Sequence, residues 1–132
     1  MKKIFTFFLF SIIFISNTSI SFSIEPEIFI QSTVNRAAST LSGKLSKEER
    51  IEELKQIAIE TVDINGIGLY SLGSHRKNLN KNQLSDYKIV FREYFLKSFS
   101  SRLAEYSNPE IEVISKNIIN KNYTIVLSKL VG

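Results

Sequence analysis

The sequence predicts an α+β fold: helices packed on an antiparallel sheet, of which only the first hairpin is present. Three observations carry that expectation. Apolar residues recur at helical spacing from Pro26 to Tyr106, and each of four helical stretches opens on a recognisable start residue: Pro26, Ser46, Asp63 or Asn80. After Pro109 the period shortens to the alternation of strands rich in β-branched residues.

Residues 1–23 are predicted to be a signal peptide, leaving 24–132 as the domain. Lys2 and Lys3 precede an apolar run from Ile4 to Ile15, and small polar residues follow before the first acid, Glu25. That is the order of a secretory signal, with Ser21 and Ser23 as the small residues before a cut after Ser23. An uncleaved membrane anchor is the alternative, because the uncharged stretch from Ile4 to Ile24 nearly matches a bilayer in length.

The first helix, "PEIFIQSTVNRAASTLSG", sets Pro26 at its first turn, places Ile30, Val34, Ala37, Ala38 and Leu41 on one face, and stops at Gly43. The second opens on the capping box "SKEE", in which Ser46 caps the nitrogen of Glu49 and Glu49 reaches back. Its inner side carries Ile51, Leu54, Ala58 and Thr61 or Val62.

"GIGLYSLG", Gly66 to Gly73, resembles the start of a dinucleotide-binding loop, but Ser71 stands where the fingerprint needs its third glycine. A phosphate cradle also needs a strand before the glycines and a long helix after them. Here a helix precedes and a loop is expected to follow. The stretch therefore reads as a brief third helix capped by Asp63, holding Ile64, Ile67 and Leu72, with Gly73 as its left-handed stop and Gly66 and Gly68 allowing close packing.

The fourth helix runs from the cap Asn80, with Gln83 as reciprocal partner, to the stop at Asn108-Pro109. Leu84, Tyr87, Phe91, Tyr94, Phe95, Phe99 and Tyr106 share one face, and Ile89, Leu96 and Leu103 form a second stripe. So wide an apolar arc implies contact on two sides. "IEVIS" and "YTIVLSKL" then read as a hairpin joined through Asn117 and Asn120-Lys121-Asn122.

Composition removes several functions. Without Lys2 and Lys3 the 17 basic residues fall to 15 against 13 acidic, so the domain carries about +2. The basic residues are scattered, which argues against nucleic acid as a partner. The absence of cysteine excludes a disulfide framework, a thiolate metal site and a cysteine nucleophile. His75, the only histidine, has no companion at the spacing of a triad or a metal trio. Arg76 and Lys77 beside it fit a solvated turn, or contact with a lipid phosphate or an acidic protein. The expectation is no enzyme, no metal and no cofactor. Two readings of the aromatic run in the fourth helix stay open: ordinary core, or the wall of a lipid cavity.

The order of these pieces, and above all "SKEERIEELKQIAIETVDINGIGLYSLG" followed by "NQLSDYKIVFREYFLKSFSSRLAEY", resembles the MlaC family, the toluene-tolerance auxiliary components of ABC transporters. The most telling segments are Asp63-Ile64 through Leu72-Gly73, Phe91-Arg92-Glu93-Tyr94, and Ser101 to Tyr106. The resemblance runs from about Pro26 to Leu130. It departs at "SHRK", where the family shows an aromatic residue, and the family continues with further strands and a closing helix after the hairpin. The expectation is therefore the N-terminal part of an MlaC-like lipid-binding domain.

The resemblance implies a periplasmic carrier of phospholipid between outer and inner membranes, with an inner-membrane ABC transporter complex and an outer-membrane lipoprotein complex as partners. The apolar wall expected for the lipid is Ile64, Ile67, Leu72, Phe91, Tyr94, Phe95, Phe99, Ile125 and Leu127. The competing expectation is an exported module that docks on a membrane complex without holding lipid.

Overall fold

A computed structural model describes residues 24–131; the expected signal peptide and its cut after Ser23 lie outside the described residues. Four α-helices, a 3₁₀ turn and one hairpin follow in the expected order: α1 (Pro26–Ser42), α2 (Lys47–Thr61), α3 (Ile64–Leu72), the turn Gly73–Asn78, α4 (Lys81–Leu103), β1 (Glu110–Asn120) and β2 (Tyr123–Val131).

The helix starts have the expected chemistry. Ser46 Oγ accepts from the Glu49 N–H at 3.2 Å while the Ser46 N–H donates to the Glu49 carboxylate at 2.8 Å. Asn80 and Gln83 repeat the arrangement at 3.0 Å in each direction. Asp63 Oδ1 accepts from the Gly66 N–H at 2.9 Å. Each bond satisfies a backbone donor that the first turn leaves without a partner.

The helix ends differ more from expectation. Gly73 takes a positive φ of 54°, which suits glycine, but its ψ of −129° is not the left-handed helical stop expected, and the chain continues into a 3₁₀ turn instead of a loop. Helix α4 ends at Leu103, short of Asn108-Pro109: the Ala104 N–H still makes the α-helical bond to the Ser100 carbonyl, but the Glu105 and Tyr106 N–H groups reach back only three residues, to Arg102 and Leu103, and close the helix in a tighter turn. Asn117 lies within β1, and the connection is the two-residue turn Lys121-Asn122, where Asn120 Oδ1 accepts the Asn122 N–H at 2.9 Å. A short side-chain bond of this kind stands in for a backbone turn.

The elements pack in sequence across the molecule. The hairpin lies on α1, α1 on α2, α2 on α4, and α4 on α3. Leu41, Leu54, Ile57 and Ala104 form the buried centre between α1, α2 and the end of α4. Helix α4 meets two partners, as its wide apolar arc requires: Phe91 touches α3 at Gly68, while Phe99 and Leu103 face α1 and α2. Its outer side remains apolar in part, since Ile89, Val90 and Tyr94 are exposed.

Strands β1 and β2 are antiparallel, with irregular register at Ile114 and near Ile119. The face of the hairpin holding Ile111, Val113, Lys116, Val126 and Leu130 covers α1. Two polar contacts fasten it there. The Val113 N–H donates to Gln31 Oε1 at 3.4 Å, and Lys116 Nζ lies 2.7 Å from the Glu27 carboxylate and 3.2 Å from that of Glu25.

Candidate functional site

Where α1, α2 and the last turns of α4 converge, they form a half-open apolar cavity of about 280 Å³. Helix α1 contributes Val34 and Ala37, α2 contributes Leu54, Ile57 and Ala58, and α4 contributes Phe99 and Leu103. Ile111 of β1 completes the wall. Two threonines also line it without making it polar. Thr33 donates its hydroxyl to the Phe29 carbonyl at 2.9 Å, and Thr61 donates to the Ile57 carbonyl at 2.6 Å. With both hydroxyls bound to their own helices, no unsatisfied polar group is offered to an occupant.

A second hollow of about 200 Å³ adjoins the first and shares Ala37, Leu103 and Ile111 with it. Ala38, Tyr106 and Leu130 extend it towards the end of the hairpin. The two volumes together fall within the roughly 300–1,000 Å³ of small-molecule sites. Such a space can hold a hydrocarbon chain. It offers nothing with which to bind a phosphate, a metal or a reacting polar group.

The nine wall residues expected from the sequence are distributed over three places. Phe99 is the one that lines the cavity. Phe91 and Phe95 continue from it along α4 in a stacked row, with ring centroids 6.2 Å apart between Phe91 and Phe95 and 5.4 Å between Phe95 and Phe99. Ile64 is buried in the first turn of α3, Leu72 is half-buried at its end, and Ile67 is exposed on its outer side. Tyr94 is 65% exposed on α4. Ile125 and Leu127 pair with Asn117 and Ser115 on the hairpin face turned away from α1.

The residues that the sequence did not single out for this role are mostly the inner stripes of α1 and α2. Val34, Ala37, Leu54 and Ala58 were legible as inward-facing, but not as cavity wall, because periodicity reports which side is covered and not how completely it is filled. Ile57, buried beside Leu54 and Ala58, extends the α2 stripe beyond the residues expected to face inward.

Charged groups sit away from this region, on the outside. Arg36 pairs with Glu60 at 2.6 Å, bracing α1 against α2, and the guanidinium holds the Glu60 carboxyl below its ordinary range. Lys47 pairs with Glu105, joining the start of α2 to the end of α4, and lowers the Glu105 carboxyl likewise. Exposed pairs of this kind add little to stability and build no chemistry. His75 is exposed in the 3₁₀ turn, and among the described residues no three His, Cys, Asp or Glu side chains cluster as a metal site would need. Among the same residues no helix is long and apolar enough to cross a membrane.

A family model described as MlaC protein matches residues 31–132, from within α1 through the other three helices and the hairpin. No curated protein and no solved structure matches the chain.

Proposed function

The chain belongs to the MlaC family, and from that premise we propose that it is a non-enzymatic phospholipid carrier of the periplasm. In this reading it moves lipid between outer and inner membranes as an auxiliary component of an ABC transport system. Its partners are then an inner-membrane transporter complex and an outer-membrane lipoprotein complex.

The observation that supports this is the apolar cavity between α1, α2, α4 and Ile111. Each methylene taken from water into such a space gains about 0.8 kcal/mol, so a few carbons of an acyl chain suffice for appreciable binding. Burying a phosphate would cost several kcal/mol without compensating donors, and the cavity has none to offer. A carrier built this way hides tails and leaves head groups in water. In this reading Phe99 touches the tail, while Phe95 and Phe91 continue the row along α4, Phe91 against Gly68. Ile67, Tyr94, Ile125 and Leu127 are exposed and would join that wall only where bound lipid or a partner covers them.

Native mass spectrometry after mild extraction tests the reading, with co-purified phospholipid as the expected result. Well-folded protein that carries none would overturn it. Ala37→Phe adds a ring to the wall shared by both hollows, and should lower the lipid stoichiometry while the protein remains folded by circular dichroism.

A further inference from the structure

The end of the α3–α4 helical hairpin concentrates positive charge. No acid occurs in the 22 residues from Ile64 to Ser85, which hold Arg76, Lys77 and Lys81, whereas the rest of residues 24–131 carries 12 basic and 13 acidic residues. The charge of the described chain is thus segregated to one corner. All six residues of the turn Gly73–Asn78 are exposed, as is Lys81 at the start of α4. None of the ion pairs among the described residues involves Arg76, Lys77 or Lys81.

Tyr70, in the last turn of α3, is 85% exposed, the highest value of any large apolar side chain among the described residues. Packing gives no reason for a ring in that position. The same stretch connects two helices held together by Gly68 against Phe91 and by the Tyr87 hydroxyl donating to the Gly68 carbonyl at 3.1 Å.

We propose that this tip, Tyr70 with Arg76, Lys77 and Lys81, docks on the surface of an anionic lipid bilayer. Diffuse phosphate charge on a flat surface needs cations on a protruding edge and no shaped pocket. A tyrosine beside them supplies the amphipathic ring that favours head-group depth. The inference does not depend on what the cavity holds: it concerns where the molecule rests.

Co-sedimentation with vesicles tests it, using the domain 24–132 with phosphatidylglycerol–phosphatidylcholine vesicles and with phosphatidylcholine alone. Binding should require the anionic lipid and weaken as salt rises, since exposed charges are screened. A basic residue near an anionic surface contributes about 1 kcal/mol, or roughly fivefold in partition, so R76Q/K77Q/K81Q should weaken binding on the order of a hundredfold. Tyr70→Ser should weaken it further at every salt concentration. The control K44Q/K121Q/K129Q removes the same charge from three exposed positions elsewhere and should keep most of the binding. Equal loss in the two triple variants would reduce the effect to net charge and overturn the proposal. Absence of binding to anionic vesicles would also overturn it and leave an acidic protein as the partner class. Phospholipid retained by each preparation is measured alongside, so loss of the carrier reading and loss of this one are told apart.

Discussion

A methyl group added at Gly68 would stand 2.8 Å from Cδ1 of Phe91, closer than two carbons can approach. Exchange of glycine for alanine inside a helix ordinarily gains about 1 kcal/mol, whereas forcing a methyl into a packed contact costs about 1–3 kcal/mol. The clash should win. Gly68→Ala is expected to lower stability in urea denaturation, and Phe91→Leu in the same chain should recover much of the loss; a stabilised Gly68→Ala would show that the ring moves aside freely. Gly66 has another reason to be glycine, since a methyl there would collide with the Asp63 carboxylate that caps α3. Close packing on a neighbouring element is the expectation at both glycines, and it holds at Gly68 but not at Gly66, where the close atoms belong to the helix's own cap. Residue type does not separate the two, because a neighbour in space and a neighbour along the helix both call for glycine. Ser100 escaped notice for a similar reason: in "SFSSRL" it reads as surface, yet it is fully buried, its hydroxyl spent on the Leu96 carbonyl at 2.6 Å. Leu54, also without exposure, is a plainer case, and Leu54→Ala should cost about 2–5 kcal/mol in the same assay.

Among the elements, starts were more legible than ends. A cap needs one side chain at one position, so Ser46 with Glu49 and Asn80 with Gln83 declare their helices from sequence alone. An end is decided by which carbonyls find donors. Nothing in "RLAEYSNP" announces that the Glu105 and Tyr106 N–H groups will turn back to Arg102 and Leu103 and close α4, and the asparagine at 117 looks like a turn although the strand simply carries it. Ser46→Ala should therefore destabilise α2 by about 1 kcal/mol in urea denaturation. The Glu49 half of that box adds a pH dependence. Its carboxyl is held below the ordinary range chiefly by the Ser46 N–H, so the carboxylate is favoured by folding. Its contribution is complete above the unfolded value and is lost as pH falls through the lowered folded one. Glu49→Gln should flatten that part of the acid limb, and denaturation midpoints taken from neutral pH down through the carboxylate range will show it; identical limbs for the two proteins would mean that the box is not formed in solution.

For the whole molecule, the order hairpin, α1, α2, α4, α3 means that the hairpin is held mainly through one helix. The buried centre lies on the far side of α1, and the hairpin itself contains no fully buried residue. Instead Ile114, Ile118, Ile119, Tyr123, Ile125, Leu127 and Leu130 are all exposed, so most of its apolar surface gives no stability in the isolated chain. An isolated two-stranded hairpin is marginal in water. Its attachment rests on Ile111 at the cavity wall, on Gln31, and on Lys116 between Glu25 and Glu27. Since few buried contacts must break for it to lift, β1 and β2 should open locally at lower free energy than α2 or α4. Native-state hydrogen exchange will show strand amides exchanging first, and Lys116→Gln should speed them further without changing amides in α2. The exposed face should also bind 8-anilinonaphthalene sulfonate. A bound acyl chain touching Ile111 would slow the strand amides, because it stabilises only the closed form. Strand amides as protected as those of α2, with no dye bound, would instead make the hairpin an integral part of the folded unit.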